Sequence, residues 1–270
     1  MTIKVGCQTF TWEMLGPQWT GDADDLVDAI AAAGYGGIEI TDTMIGDYAE
    51  RPADFAARLK DAGLTLVAFA CGAPSGFTEP AARADDLALV EYWLPFVAAF
   101  PGALLSLGSA TIVSEGDRAA KFDAAGSFYN AAGELGRSAG VQVAFHPSSH
   151  HGTLLSSRAD YDRIMALTDP DLIGWVPDTG HILRGKQDIL DTLATYKDRI
   201  RYLHLKDVDA AGDWAMLGAG ACDTRAVVDL VATAPNFNGW VVVEEESETA
   251  AADPAAAVAR NYLTLQQILA

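Results

Sequence analysis

Four residues with metal-binding side chains follow apolar runs in the second half of the chain. They are His146 after VQVAF, Asp178 after IGWVP, His204 after RYL and Glu244 after WVVV. A lone imidazole or carboxylate at the end of a buried run would be costly, whereas two of each can satisfy one another around a divalent cation. Mixed nitrogen and oxygen donors favour Mn²⁺, with Co²⁺, Fe²⁺, Mg²⁺ or Zn²⁺ as alternatives. The pattern predicts a site for one divalent metal ion.

Taken singly, these residues have structural explanations as well. A histidine at a strand end, such as His204, is more often a hydrogen-bonded core residue, and Asp178 in PDTGH could cap the next segment. The nearby Glu245, Glu246 and Glu248 are expected to be solvated or to face a substrate. The metal interpretation depends on finding four such residues at the ends of four successive strands.

Three residues near the same strand ends are predicted to be catalytic, namely His181, Lys206 and Glu39. An unperturbed imidazole such as that of His181 titrates near neutral pH, which suits proton transfer. Lys206 shares a strand face with His204 and could stabilise an oxyanion. The alternatives are a structural histidine at a helix start, and salt bridges within the barrel for Lys206 and Glu39.

Aromatic and histidine side chains near the strand ends are predicted to contact a substrate. An aromatic face can stack on the C–H face of a sugar while neighbouring polar groups bind its hydroxyls. The predicted substrate-binding residues are Phe10, Trp12, His150, His151 and Trp214. Ordinary packing is the alternative for the aromatic residues, and Trp214 is expected in a long loop.

Short β-type runs alternate eight times with Ala-rich segments. The predicted strands are 3–10, 37–41, 64–71, 103–108, 141–146, 172–177, 201–207 and 239–246. The predicted helices are 22–33, 52–62, 81–100 with a kink or break at Pro95, 117–139, 157–167, 187–196, one from about 224, and 253–269. This alternation specifies a parallel sheet, and eight units favour one closed (β/α)₈ barrel spanning 1–270 as a single domain. A doubly wound open sheet is the alternative, but no glycine-rich nucleotide-binding turn supports it.

The composition limits the classes of partner. The 270 residues carry a net charge of -19, so nucleic acid and anionic membrane surfaces are excluded as partners. The three cysteines lack CxxC spacing, and the chain shows no signal peptide or membrane-length apolar run. We therefore expect a cytoplasmic protein with a small neutral or metal-bridged substrate. A homo-oligomer or a partner subunit stays open.

Several motifs resemble the sugar isomerase/epimerase superfamily with the xylose isomerase-like barrel. They are VAFHPSSHHGT, PDTGHILRGK, YLHLKDVD, MLGAGACD and GWVVVEEE. The resemblance implies a divalent metal held by His146, Asp178, His204 and Glu244. Many isomerases and epimerases have Glu at the position of His146, so a mechanism with two metal-bound glutamates is in doubt here. His146 followed by Pro147 is more similar to the inosose dehydratase-like branch.

The function implied is proton abstraction next to a sugar carbonyl, with a metal ion as Lewis acid. The leading hypothesis is a dehydratase or lyase acting on a keto-sugar or keto-cyclitol, and the second is a ketose isomerase or epimerase. An abasic-site endonuclease shares the barrel but must bind a polyanion, which the charge disfavours. A non-catalytic sugar-binding module would hold no stoichiometric metal.

Overall fold

The computed structural model describes residues 2–270, in which ten strands occur. In chain order they are β1 Lys4–Gln8, β2 Gly37–Thr41, β3 Thr65–Cys71, β4 Leu104–Leu107, β5 Gln142–Phe145, β6 Ile173–Trp175, β7 Leu203–Leu205, β8 Asp207–Val208, β9 Trp214–Ala215 and β10 Trp240–Val243. Eight of them form a parallel sheet in the order β6-β5-β4-β3-β2-β1-β10-β7. The remaining two, β8 and β9, form a small antiparallel hairpin.

The two end strands of the sheet, β6 and β7, meet and close it into a barrel. Two isolated parallel bridges join Trp175 to Ile200 and Asp178 to His204. The backbone N–H of His204 donates to Pro177 O at 2.8 Å. The predicted (β/α)₈ barrel is confirmed, with strands shorter than expected because pairing stops before the polar strand ends.

Helices follow the barrel strands and cover the outside of the sheet. They are α1 Phe10–Glu13, α2 Ala23–Ala33, α3 Pro52–Ala62, α4 Arg83–Ala98, α5 Arg118–Ala139, α6 Arg158–Leu167, α7 Thr179–Arg184, α8 Ile189–Thr195, α9 Thr224–Val231, α10 Glu248–Ala252 and α11 Pro254–Leu269. Asp22 caps α2 through a capping box, and Gly34 ends it at φ 100°, where glycine is favoured. The predicted break at Pro95 is wrong: α4 continues as one helix, since the carbonyl of Glu91 that loses its partner lies on an exposed residue.

The hydrophobic core has two main parts. Residues between sheet and helices form the larger layer, while a smaller cluster fills the barrel interior. Tyr202 and Trp240 belong to that inner cluster and share strand faces with His204 and Glu244. The bottom of the barrel is thus packed with apolar side chains, and only the carboxyl ends of the strands open into a polar mouth. None of the helices in residues 2–270 is long and apolar enough to cross a membrane.

Candidate metal centre

Strand alternation brings the four predicted metal ligands to the barrel mouth. His146 comes directly after β5, Asp178 is the N-cap residue of α7, and Glu244 comes directly after β10. His204 lies within β7, on its inward face. Asp178, His204 and Glu244 are buried, and His146 is partly buried. One ligand atom from each of the four lies within 4.8 Å of the others.

Two of these ligand atoms have no hydrogen-bond partner within residues 2–270. Asp178 Oδ2 and His146 Nε2 are both buried and face each other at 3.5 Å. The same Asp178 oxygen lies 3.9 Å from Nδ1 of His204. Unpartnered buried polar atoms are rare because each costs free energy. Two imidazoles and two carboxylates that converge in this way fit a divalent ion of the Mn²⁺ to Zn²⁺ series.

His204 is held between two carboxylates. Its Nδ1 lies 2.7 Å from Glu244 Oε2, and its Nε2 lies 2.7 Å from Glu39 Oε2. Burial alone would lower the pKa of His204, but Glu39 and Glu244 raise it to about 10. Glu39 lies in the middle of β2 rather than at its end. Its contact with Nε2 fixes the orientation of the His204 ring, so that Nδ1 points towards the other candidate ligands.

Lys206 is buried among carboxylates on the inward face beyond β7. Its Nζ lies 2.5 Å from Glu244 Oε1, contacts Glu246 Oε1 and lies 3.8 Å from Asp178 Oδ2. Although burial opposes its charge, these carboxylates raise the pKa of Lys206. A Cβ at Gly180 would lie 2.8 Å from the Lys206 side chain and 2.9 Å from the Trp214 ring, so glycine is needed there.

His181 is oriented by the loop after β5. Its Nδ1 lies 2.9 Å from the backbone N–H of Ser149 and 2.8 Å from the Ser149 hydroxyl. A backbone N–H can only donate, so Nδ1 is an acceptor and the ring proton sits on Nε2. Burial lowers the pKa of His181 well below its usual range, which keeps the ring neutral. The Nε2–H and the Lys206 ammonium, 3.5 Å apart, are thus two donors that need a shared acceptor.

The mouth is bounded by aromatic and charged side chains. His150 Nε2 lies 3.6 Å from Glu246 Oε2, and its ring centroid lies 6.3 Å from that of Phe10. Trp214 belongs to the β8–β9 hairpin rather than to a structureless loop, and it packs at right angles to His181. The Lys206 ammonium lies 4.5 Å from the centre of a Trp214 ring. Trp214 thus shields the donor pair from water.

A cavity of about 210 Å³ opens beside the ligand cluster. Its lining includes three of the predicted ligands, His146, His204 and Glu244, together with the predicted site residues Phe10, Glu39, His150 and His181. Trp12 is 5% exposed and packs in the hydrophobic core, and His151 is exposed. Trp12, His151 and Trp214 are not among the lining residues.

Sequence reasoning missed several polar residues at the mouth. Gln8 at the end of β1, Glu13 at the end of α1 and Asp42 directly after β2 line the cavity, and no motif marks them. The expectation that Glu245 is solvated is wrong, because it is 2% exposed and accepts a hydrogen bond from Asn261 Nδ2 at 2.6 Å. Glu246 lies two residues after Glu244, and this spacing predicts that both side chains point into the barrel.

A family model described as the xylose isomerase-like TIM barrel matches residues 27–265. The chain therefore belongs to the xylose isomerase-like TIM barrel family. This confirms the resemblance carried by the strand-end motifs, and the eight parallel strands agree with it.

Curated relatives and solved structures are also similar to the chain. The inosose dehydratase of Lacticaseibacillus casei is 30% identical over 151 residues, covering 48% of this chain and 50% of that protein. The chain thus spans about half the length of the curated relatives it matches. The sugar phosphate isomerase/epimerase of Parabacteroides distasonis is 20% identical with a TM-score of 0.76, covering 98% of this chain and 94% of that one. The IolI protein with a bound zinc atom is 14% identical with a TM-score of 0.80, covering 99% and 98%. These two similarities concern the fold.

Proposed function

We propose that this chain is a divalent-metal-dependent enzyme that removes a proton next to the carbonyl of a keto-sugar or keto-cyclitol and expels water, as an inosose dehydratase-like lyase. The convergence of the four ligand side chains beside the donor pair of Lys206 and His181 carries this proposal. The curated inosose dehydratases that match half of the chain support the choice of reaction. A ketose isomerase or epimerase is the second candidate, since the same proton abstraction precedes both outcomes.

His146, Asp178, His204 and Glu244 would hold one divalent ion, with Mn²⁺ as the first choice for this mixed donor set. Such an ion would polarise a substrate carbonyl as a Lewis acid. Every other role falls to the protein's own side chains.

Lys206 and His181 supply hydrogen-bond donors to the substrate oxygen on which negative charge develops. Their donor atoms lie 3.5 Å apart. Preorganised donors of this kind stabilise developing charge because they need no rearrangement during the reaction. Trp214 covers the pair, which lowers the local dielectric and strengthens both interactions.

His150 is the base that faces the substrate. Glu39 is engaged through Oε2 by His204, and Nδ1 of His181 accepts from Ser149, so both side chains already serve to hold the site in place. His150 lines the cavity, and Glu246 Oε2 lies 3.6 Å from its Nε2. Nδ1 of His150 accepts the proton from carbon. The same proton then passes to the departing hydroxyl, which leaves as water and restores the neutral ring.

The proposed setting is the cytoplasm, with a small sugar or cyclitol as the partner. All three cysteines are free, and two of them are buried. Free thiols suit a reducing compartment. The net charge of -19 disfavours nucleic acid as a partner.

The test is incubation of metal-loaded protein with keto-inositols, 3-keto-sugars and ketoses in D₂O. A dehydratase produces an enone or diketone absorbance, whereas an isomerase or epimerase returns deuterated sugar without that absorbance. A His150→Gln variant should keep its bound metal and lose most of either signal. If no member of the panel shows absorbance or deuterium uptake, both candidate functions are wrong.

A further inference from the structure

The wall of the cavity formed by β1 and β2 carries polar groups that the proposed reaction does not use. Glu39 and Thr41 are two residues apart on β2 and point to the same side, so Thr41 lies about 7 Å further along the strand. The Thr41 hydroxyl donates to Glu13 Oε2 at 2.7 Å. Asp42 follows directly and also lines the cavity. A polar surface thus extends outwards from His204, away from the other metal ligands.

Gln8 adds a free donor to this surface. It is 5% exposed, and its Oε1 accepts from the backbone N–H of Phe10, which fixes the orientation of the amide. Within residues 2–270, its Nε2 group makes no hydrogen bond, and the side chain lines the cavity. This N–H group on the cavity wall is therefore available to an acceptor inside the cavity. A substrate oxygen in the cavity would satisfy it.

The cavity has no cationic side chain for an anionic substrate. Four carboxylates line it, those of Glu13, Glu39, Asp42 and Glu244, whereas none of its described lining residues is Lys or Arg. The Lys206 ammonium nearby is already surrounded by Asp178, Glu244 and Glu246. Burial and the negative charge of the neighbouring Glu13 raise the pKa of Asp42 to about 6. The two carboxylates thus repel each other. A phosphate at this end of the cavity would be repelled.

We propose that Gln8, Glu13 and Asp42 form a subsite that binds the hydroxyl groups at the end of the substrate remote from the metal ligands, so that the enzyme selects non-phosphorylated polyols over their phosphate esters. Carboxylates accept strong, charge-assisted hydrogen bonds from hydroxyl groups, and the Gln8 amide donates to a hydroxyl oxygen. A dianionic phosphate group placed at this subsite can accept from Gln8 but offers the two carboxylates no donor. This inference rests on the proposed function for the position of the reacting carbonyl.

The experiment uses ligands that cannot react, so that binding is separated from turnover. Dissociation constants are measured by calorimetry on Mn²⁺-loaded protein for two matched pairs: myo-inositol with myo-inositol 1-phosphate, and sorbitol with sorbitol 6-phosphate. The variant is Glu13→Gln/Asp42→Asn, which keeps the shape of both side chains. The control is Glu115→Gln/Asp61→Asn, which makes the same charge change on exposed residues. Comparing the ratio of one pair between the variant and the wild type cancels any direct attraction of phosphate to the metal ion.

The subsite predicts that the variant binds the neutral polyols about tenfold more weakly, as expected for losing charge-assisted hydrogen bonds. The ratio of phosphate to polyol dissociation constants should fall at least about tenfold in the variant and stay unchanged in the control. An unchanged ratio in the variant, or no binding of either neutral polyol to the wild type, would overturn the subsite. Binding that depends on Glu13 and Asp42 without turnover of any keto-sugar would instead overturn only the proposed reaction.

Discussion

Glu39 Oε2 lies 2.7 Å from Nε2 of His204, at the ring nitrogen opposite the one that faces Glu244. Both side chains are 1% exposed, so the contact is sheltered from water. A carboxylate behind a ligating histidine fixes the ring and increases its basicity. Glu39 therefore supports the proposed metal site through His204.

Glu39→Gln should weaken metal binding about tenfold to a hundredfold, because the neutral amide no longer supports the ring through its charge. Competition with a coloured chelator measures the affinity. Glu13→Gln removes a charge from the same cavity without touching His204 and serves as the control. Equal affinities in the wild type and the Glu39 variant would show that this carboxylate does not support the metal site.

Lys206→Gln should lower kcat by about a hundredfold or more while KM and metal content change little. The reason is that the ammonium stabilises negative charge that develops on the substrate oxygen only during the reaction. Steady-state kinetics and elemental analysis on one preparation provide the measurement. Lys60→Gln, on an exposed part of α3, is the matched control. A rise in KM with kcat unchanged would assign Lys206 to substrate binding instead.

Asp42→Asn should raise the melting temperature at pH 7.5. Burial raises the pKa of Asp42 from an ordinary 3.8 to about 6 in the folded protein. The folded protein therefore binds the proton of this carboxyl group more tightly than the unfolded chain does. Stability therefore falls as pH rises from about 4 to 6, and the ionised carboxylate is a cost above that range. The advantage of the variant should shrink as pH falls below about 6. Thermal melts at pH 7.5 and pH 5 test this against Asp61→Asn, and a pH-independent difference would contradict it.

Asp207→Asn should destabilise the fold by about 2–4 kcal/mol, because an amide cannot accept at both oxygen positions. The carboxylate of Asp207 is 1% exposed and accepts four backbone N–H groups, those of Val208, Gly218, Gly220 and Cys222. Urea unfolding measures the change, with Asp229→Asn on the exposed face of α9 as the control. Equal stability of the Asp207 variant and the wild type would mean that these hydrogen bonds do not stabilise the segment from Gly218 to Cys222.

The barrel and the cluster of candidate metal ligands were accessible from the sequence because they depend on local patterns. An apolar run followed by a polar residue specifies both a strand and its mouth-facing end, as at His146 and Glu244. The rest depends on closure of the barrel. Gln8 and Glu39 meet only because β1 pairs with β2 in that register, and Asn261 reaches Glu245 from the last helix. No spacing along the chain encodes such contacts.

Metal stoichiometry is the most direct test of the proposed centre. Elemental analysis of the purified protein, after incubation with Mn²⁺ or Zn²⁺ and removal of free ions, should give one ion per chain. His204→Ala and Glu244→Ala should each lose that ion while circular dichroism shows the fold intact, and Glu246→Gln should retain it. Absence of bound metal from the wild type, or unchanged content in both ligand variants, would contradict the metal centre.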